Sequence, residues 1–118
     1  MSKEILDLED ALERVMGDEE LLLELMGDFQ AHYIESRQKL AQLSTQKDFA
    51  QMKDVIHSMK GAAGNLSIHA MHTCLVMAEL LAGERKEGLI LGLLEDIDKQ
   101  FNEFLDFYAK YKQKQKGK

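Results

Sequence analysis

The chain of 118 residues contains no proline. Proline ends or kinks helices, because it lacks a backbone N–H and its ring clashes with the preceding turn. Apolar residues recur at helical spacing in five segments of this chain. Hydrophobic residues make up 45% of the sequence and charged residues 31%, which suits long helices with solvated outer faces. We therefore predict an all-α fold.

The five segments are separated by capping residues and turn signals. The predicted elements are a short helix between Asp7 and about Gly17, a long helix from Asp18 to the stretch 44–47, a third helix from Asp48 to about Leu66, a fourth over 68–82, a loop over 83–88 and a final helix after the loop. Gln51, three residues after Asp48, gives the third helix a start like a capping box. We predict an antiparallel four-helix bundle with the short N-terminal helix laid across it.

The length suits a single domain over residues 1–118 that buries a core without disulfides or metals. The net charge of −6 argues against nucleic-acid binding, which depends on clustered cations. A basic tail over about 110–118 carries lysine at every second position and is interpreted as the solvated end of a helix. Cys74 is the single cysteine, and the sequence has neither a secretory signal pattern nor a membrane-spanning apolar run. We expect a cytoplasmic protein.

The third predicted helix carries a histidine on a polar stripe. At about 100° per residue, His57, Lys60, Gly61 and Gly64 share one face, and Lys53 extends it at i−4. A second stripe, centred roughly 145° away, is apolar and is expected to face the core. It consists of Met52, Val55, Ile56, Met59, Ala62, Ala63 and Leu66. His57 is therefore expected to point away from the core.

Two glycines within this helix need an explanation, because each destabilises a helix interior by about 0.5 to 1 kcal/mol relative to alanine. Tight helix packing would place them on the apolar stripe, and Gly61 and Gly64 are not on it. We therefore predict that the missing Cβ atoms let another surface approach the imidazole of His57. Lys53, Gly61 and Gly64 are the residues expected to meet this partner.

The run His-x-x-Lys-Gly-Ala-Ala-Gly-Asn-Leu that begins at His57 resembles the signature of histidine-containing phosphotransfer (HPt) domains. The resemblance extends from residue 5 to about residue 107. It includes the opening Ile-Leu-Asp-Leu-Glu-Asp-Ala-Leu, the later Gly-Asp-Glu-Glu-Leu and Glu79, which lies 22 residues after the histidine. Ser67 departs from the pattern, since the family commonly has glycine there. We interpret Ser67 as the N-cap of the following helix.

The resemblance implies that His57 carries a phosphoryl group, taken from an aspartyl phosphate of one receiver domain and passed to an aspartate of another. Lys60 would offset the phosphoryl charge, and Glu79 would accept a hydrogen bond from the other ring nitrogen. The implied partners are receiver domains of response regulators and hybrid histidine kinases. The aspartate and Mg²⁺ are expected on the partner, so the chain is expected to be a monomeric phosphocarrier with no cofactor of its own, and not an enzyme.

Two other classes of function remain as alternatives. A metal-binding bundle is suggested by His69 and His72 at i, i+3, but the chain has no Glu-x-x-His pair of the di-iron type and only Asp54 three residues before His57. A purely structural interaction bundle would explain the fold and leave the two glycines unexplained. Metal analysis and incubation with a phosphorylated receiver would separate the three classes.

Overall fold

The computed structural model describes residues 4–117, which form five helices and no strand. The helices are α1 (Leu8–Arg14), α2 (Glu19–Thr45), α3 (Phe49–Asn65), α4 (His69–Gly83) and α5 (Glu87–Lys116). Helix α3 packs between α2 and α4, α5 packs on both α4 and α2, and α1 contacts α2. The prediction of an all-α fold is confirmed.

The first three helices begin where the sequence predicts, each after an aspartate. A carboxylate that accepts a backbone N–H in the first turn satisfies a donor that has no partner within the helix. The pairs are Asp7 with the N–H of Asp10 at 3.1 Å, Asp18 with that of Leu21 at 3.0 Å and Asp48 with that of Gln51 at 3.1 Å. The Gln51 amide also donates to the second Asp48 oxygen, at 2.7 Å. The Asp48 cap fixes where α3 begins.

The first four helices end in the same turn, with a residue other than glycine in the left-handed region. These residues are Met16, Lys47, Ser67 and Arg85, with φ between 54° and 59°. In each turn the next N–H bonds back to a carbonyl in the last helical turn, as between Ile68 and Ala63 at 3.0 Å. This is the Schellman arrangement, in which glycine is favoured because L-residues are strained at positive φ. The preference explains why glycine suits the position of Ser67.

The prediction that Ser67 caps α4 is wrong. Ile68 occupies the N-cap position and makes no side-chain cap bond, while Ser67 ends the turn of α3. Ser67 is fully buried, and its hydroxyl donates to Asp10 of α1 at 2.5 Å. Its carbonyl also accepts the N–H of Asp7, at 3.0 Å. Ser67 therefore fastens the N-terminal segment to the α3–α4 turn.

The core is built from one apolar face of each helix. On α3 the buried residues are Met52, Ile56, Met59 and Ala63, as the predicted apolar stripe requires. Helices α2 and α5 run in opposite directions, since Lys47 meets Glu87 and Phe29 meets Phe104. Burying each large apolar side chain of the core stabilises the fold by about 1.5 to 3 kcal/mol before the loss of conformational entropy is subtracted. The buried stripe directs the opposite face of α3 outward.

Two boundaries differ from the prediction. The loop predicted over 83–88 is reduced to residues 84–86, because Gly83 belongs to α4 and α5 begins at Glu87. The predicted basic tail is helical to Lys116, while Lys118 lies outside the described residues. No helix within residues 4–117 is both long enough and apolar enough to cross a membrane.

Candidate functional site

Helix α3 presents His57 to solvent, as the sequence predicts, with 70% of the side chain exposed. The preceding residue, Ile56, is fully buried, so the backbone at this point is held by the core. The Nδ1 atom of His57 lies 2.6 Å from Oε1 of Glu79 on α4. Within residues 4–117, Nε2 of His57 has no hydrogen-bond partner. One ring nitrogen is therefore held and the other is open.

Glu79, on α4, contacts both His57 and Lys60 of α3. Its Oε2 accepts a hydrogen bond from Nζ of Lys60 at 3.0 Å, while Oε1 faces His57. Burial opposes ionisation of this carboxyl, but the hydrogen bonds from Lys60 and His57 outweigh it and hold the pKa of Glu79 below its usual value. An ionised carboxylate only accepts hydrogen bonds, so Nδ1 of His57 carries the proton. In the neutral form of the ring, the lone pair is then on Nε2.

Lys60 is less exposed than its place on the polar stripe predicts. Only 22% of its side chain is exposed, because it lies against α4 and pairs with Glu79. Its ammonium is nevertheless one helical turn from His57. The structure thus brings His57, Lys60 and Glu79 together, as the resemblance implies.

The two glycines of α3 differ from each other. A Cβ built on Gly61 would meet nothing within 4 Å. A Cβ built on Gly64 would lie 3.1 Å from Cδ2 of His72 on α4, which is tighter than ordinary contact. The missing Cβ of Gly64 therefore leaves room for the His72 side chain, while the contact of Gly64 with a partner surface stays a prediction. The spacing of residues along α3 could not predict the contact with His72, because it does not determine how closely α4 approaches α3.

A groove between α2 and α3 opens beside His57 and Gly61. It encloses about 510 Å³ and is lined by Leu25, Asp28, Phe29, His32, His57, Ser58, Gly61, Ala62, Asn65 and Leu66. Nε2 of His32 lies 3.3 Å from the Ser58 hydroxyl inside it. The α2 residues of the groove were not predicted as part of the site, since they contribute only after α2 packs against α3. The signal in the sequence was the spacing of Leu25, Asp28 and His32 by three and four residues, which places them on one face of α2.

Lys53 does not join this site. It is exposed at i−4 from His57, and its Nζ lies 3.8 Å from the position that a Cβ of Gly83 would take. It therefore lies over the last turn of α4. Within residues 4–117 no group of three His, Cys, Asp or Glu side chains is arranged to hold a metal ion.

A second cluster with a central carboxylate, between α2 and α5, was not predicted. Asp98 accepts hydrogen bonds from Arg37 at 2.9 and 3.0 Å and from the Tyr33 hydroxyl. Burial opposes ionisation of Asp98, but the bonds from Arg37 and Tyr33 outweigh it and lower its pKa. Sequence alone could not find this cluster, since its members are separated by 61 and 65 residues.

Comparison with known proteins adds no relative: no family model matches the chain, and neither a curated protein nor a solved structure resembles it significantly.

Proposed function

We propose that this protein is a phosphocarrier that receives a phosphoryl group on Nε2 of His57 from a receiver-domain aspartyl phosphate and passes it to the aspartate of another receiver domain. The observation that carries the proposal is the pairing of His57 with Glu79. In the neutral imidazole this pairing leaves Nε2 exposed and unprotonated, on a helix whose opposite face is buried in the core. A neutral imidazole is a competent nucleophile near pH 7, because its reference pKa is about 6.5.

The transfer conserves atoms and charge without a cofactor of this chain. The Nε2 lone pair of His57 attacks phosphorus, the N–P bond forms, and the P–O bond to the aspartate breaks to release its carboxylate. The imidazole becomes positively charged as it is phosphorylated, while Nδ1 keeps its proton and donates it toward Glu79. The nearby carboxylate stabilises this charge. The reverse sequence on another receiver domain returns the imidazole to its neutral form.

Lys60 has two possible partners along this path. In the resting site its ammonium is bound to Glu79. We infer that it turns part of its hydrogen bonding toward the phosphoryl oxygens when they arrive, one turn away on the same helix. Glu79 then orients the ring and also keeps Lys60 at the site before the partner docks.

Gly61 and the groove between α2 and α3 suit close approach by a partner. Gly61 offers no side chain beside the imidazole, and the groove has apolar walls that include Leu25 and Phe29. An in-line transfer requires the reacting atoms to come to about 3 to 3.5 Å. The open strip along Gly61 permits this approach. We infer that Mg²⁺ and the receiving aspartate are on the partner.

The fold we propose for this role is an antiparallel four-helix bundle of α2 to α5, covered by α1. The contacts of α2 with α3, α3 with α4, α4 with α5 and α5 with α2 support it. We further propose that the protein works in the cytoplasm, where receiver domains of response regulators and hybrid histidine kinases act. It would be a carrier and not an enzyme.

Label transfer from phosphorylated receiver domains tests this function. A panel of receiver domains labelled on aspartate is incubated with the wild type and with His57→Gln. We expect acid-labile label on the wild type and none on His57→Gln, with unchanged circular dichroism. The matched controls are His69→Gln and His72→Gln, which lie outside the groove and should still take up label. Uptake of label by His57→Gln, or loss of uptake in either control variant, would contradict the assignment.

A further inference from the structure

The outer face of α4 carries an apolar stripe that no other element of residues 4–117 covers. It consists of Thr73, Val76, Met77 and Leu80, and the three apolar members are 46%, 48% and 57% exposed. Glu79 is the only Asp, Glu, Lys or Arg residue between His69 and Gly83, and it is engaged with His57 and Lys60. The stripe itself therefore carries no charged side chain from Thr73 to Leu80, a length of about two turns. This is unusual in a chain in which 31% of residues are charged.

We propose that this stripe is a self-association surface, on which a second copy of the chain packs its own α4 in antiparallel orientation. The spacing i, i+3, i+4, i+7 is that of a helix that packs against another helix. An antiparallel pair about a two-fold axis between Val76 and Met77 sets Thr73 against Leu80 of the second copy. The same contact then occurs twice, as an isologous dimer requires.

The charges at the two ends of α4 match this orientation. At its C-terminal end, Lys86 and Lys47 are paired with Glu84 and Glu87, whereas Lys53 and Arg85 have no carboxylate partner among residues 4–117. The Arg85 guanidinium lies over the Phe49 ring, 5.5 Å from its centroid, so this end keeps a net positive charge. At its N-terminal end, Glu4 and Asp7 lie with His69 around a cavity of about 710 Å³. An antiparallel pair brings the basic end of each copy to the acidic end of the other. A parallel pair would bring like charges together, which is unfavourable.

The same cavity offers space into which an apolar side chain of the second copy would insert. It reaches Ala70 and Thr73 on α4, and Leu80 of the second copy would face its mouth. The stripe as a whole offers on the order of a few hundred Å² per copy, whereas a standard interface buries roughly 800 Å² per partner. The association should therefore be weak and reversible. It goes beyond the monomer expected from the sequence and does not depend on the proposed phosphotransfer.

Sedimentation equilibrium tests the surface without any partner protein. We expect the weight-average mass of the wild type to rise from 13.5 kDa toward twice that value as concentration increases from about 10 µM to 1 mM. Leu80→Glu should raise the dissociation constant at least about tenfold. Ile34→Glu is the matched control, since Ile34 is 45% exposed on α2, away from α4, and should leave the constant unchanged. A wild type that stays at 13.5 kDa, or equal effects of both variants, would overturn the proposal.

Charge reversal tests the antiparallel orientation. Arg85→Glu and Glu4→Lys should each weaken the wild-type dimer, because each places like charges at both contacts. An equimolar mixture of the two variants should associate more strongly than either alone, since in the mixed dimer one contact pairs the two new charges and the other pairs the two original ones. If mixing leaves association at the level of the separate variants, the antiparallel dimer is refuted. Circular dichroism of each variant verifies that the helices are intact.

Discussion

Glu79 and Asp98 are both carboxylates that accept hydrogen bonds from two side chains of a neighbouring helix. Glu79 joins His57 and Lys60 of α3, and Asp98 joins Tyr33 and Arg37 of α2. In both clusters the two partners are one helical turn apart, and the pKa of the carboxyl is lowered. The two clusters therefore share one electrostatic design. Their difference lies in what is left free.

In the Asp98 cluster the functional groups of both partner side chains are engaged. Arg37 uses two nitrogens on the carboxylate, and the Tyr33 ring is buried and stacks on Phe101 at 3.9 Å. Burial and the neighbouring Asp98 raise the pKa of Tyr33, so its hydroxyl keeps its proton and donates it. In the Glu79 cluster His57 keeps an open Nε2 and faces Gly61. A shared carboxylate thus acts as a clamp between helices in one place and as a support for a reactive side chain in the other.

The largest difference is expected between His57→Gln and Tyr33→Phe. Loss of the imidazole should abolish phosphoryl uptake and leave the free energy of unfolding within about 0.5 kcal/mol of the wild type, as at most surface sites. Tyr33→Phe removes a buried donor and should lower stability by about 1 kcal/mol with uptake unchanged. Label uptake and urea melts on both variants measure this. If Tyr33→Phe also loses uptake, the two clusters do not have separate roles.

Asp98→Asn should produce the largest loss of stability among these changes. It removes the charge that Arg37 pairs with, and bonds to charged groups are worth about 1.5 to 3 kcal/mol when buried. The Asp98 side chain is 41% exposed, so solvent screening reduces the expected loss to about 1 to 2 kcal/mol. Glu87→Gln, which breaks the exposed pair with Lys47, is the control and should change stability by at most about 1 kcal/mol. Equal losses in both variants would mean that Asp98 is an ordinary surface residue.

The contribution of Asp98 should also depend on pH. Its pKa in the folded protein lies below the ordinary value of 3.8, so the unfolded chain binds this proton at higher pH than the folded one. The stabilisation is complete above the unfolded value and is lost as the pH falls through the folded value. The stability difference between wild type and Asp98→Asn should therefore be constant from pH 5 to 7 and narrow below about pH 4. A difference that widens in acid would reverse the assigned direction of the pKa shift.

Lys60→Ala should slow transfer by about tenfold, which corresponds to 1.4 kcal/mol of transition-state stabilisation. Glu79→Ala should slow it by about threefold, because the ring loses its fixed tautomer while Lys60 becomes free to meet the phosphoryl group. Glu79→Gln is the matched control, since its amide oxygen can still accept the Nδ1 proton, and it should transfer faster than Glu79→Ala. Single-turnover rates measure all three. A Gln variant as slow as Ala would show that the charge of Glu79 matters more than the hydrogen bond.

The sequence predicted those features that depend on local chemistry. The aspartate caps, the apolar stripe of α3 and the exposure of His57 follow from spacing along one helix, and all are confirmed. Features that depend on the distance between helices were not accessible. The burial of Lys60 against α4, the contact of Gly64 with His72 and the Asp98 cluster each require the packed bundle. Ser67 was misread because a left-handed C-terminal turn and an N-cap both suit a small polar residue next to a helix end.

The smallest effects should separate the two glycines of α3. Gly61→Ala meets open space, so helix propensity should stabilise the protein by about 0.5 to 1 kcal/mol. Gly64→Ala gains the same propensity, but its Cβ presses on the His72 ring at 3.1 Å, so the gain should be cancelled or reversed. Urea melts of both variants measure the difference.

The decisive comparison for the glycines uses the background His72→Ala, in which the obstructing ring is gone. Gly64→Ala should then be stabilising by about the same 0.5 to 1 kcal/mol as Gly61→Ala, because only the helix propensity remains. Gly61→Ala should give the same change in both backgrounds, since a Cβ there contacts neither His72 nor any other residue of the described chain. If Gly64→Ala is equally stabilising with and without His72, the ring yields without strain, and Gly64, like Gly61, has no packing reason to be glycine. If it destabilises in both backgrounds, the backbone of α4 and not the imidazole sets the closeness of the two helices.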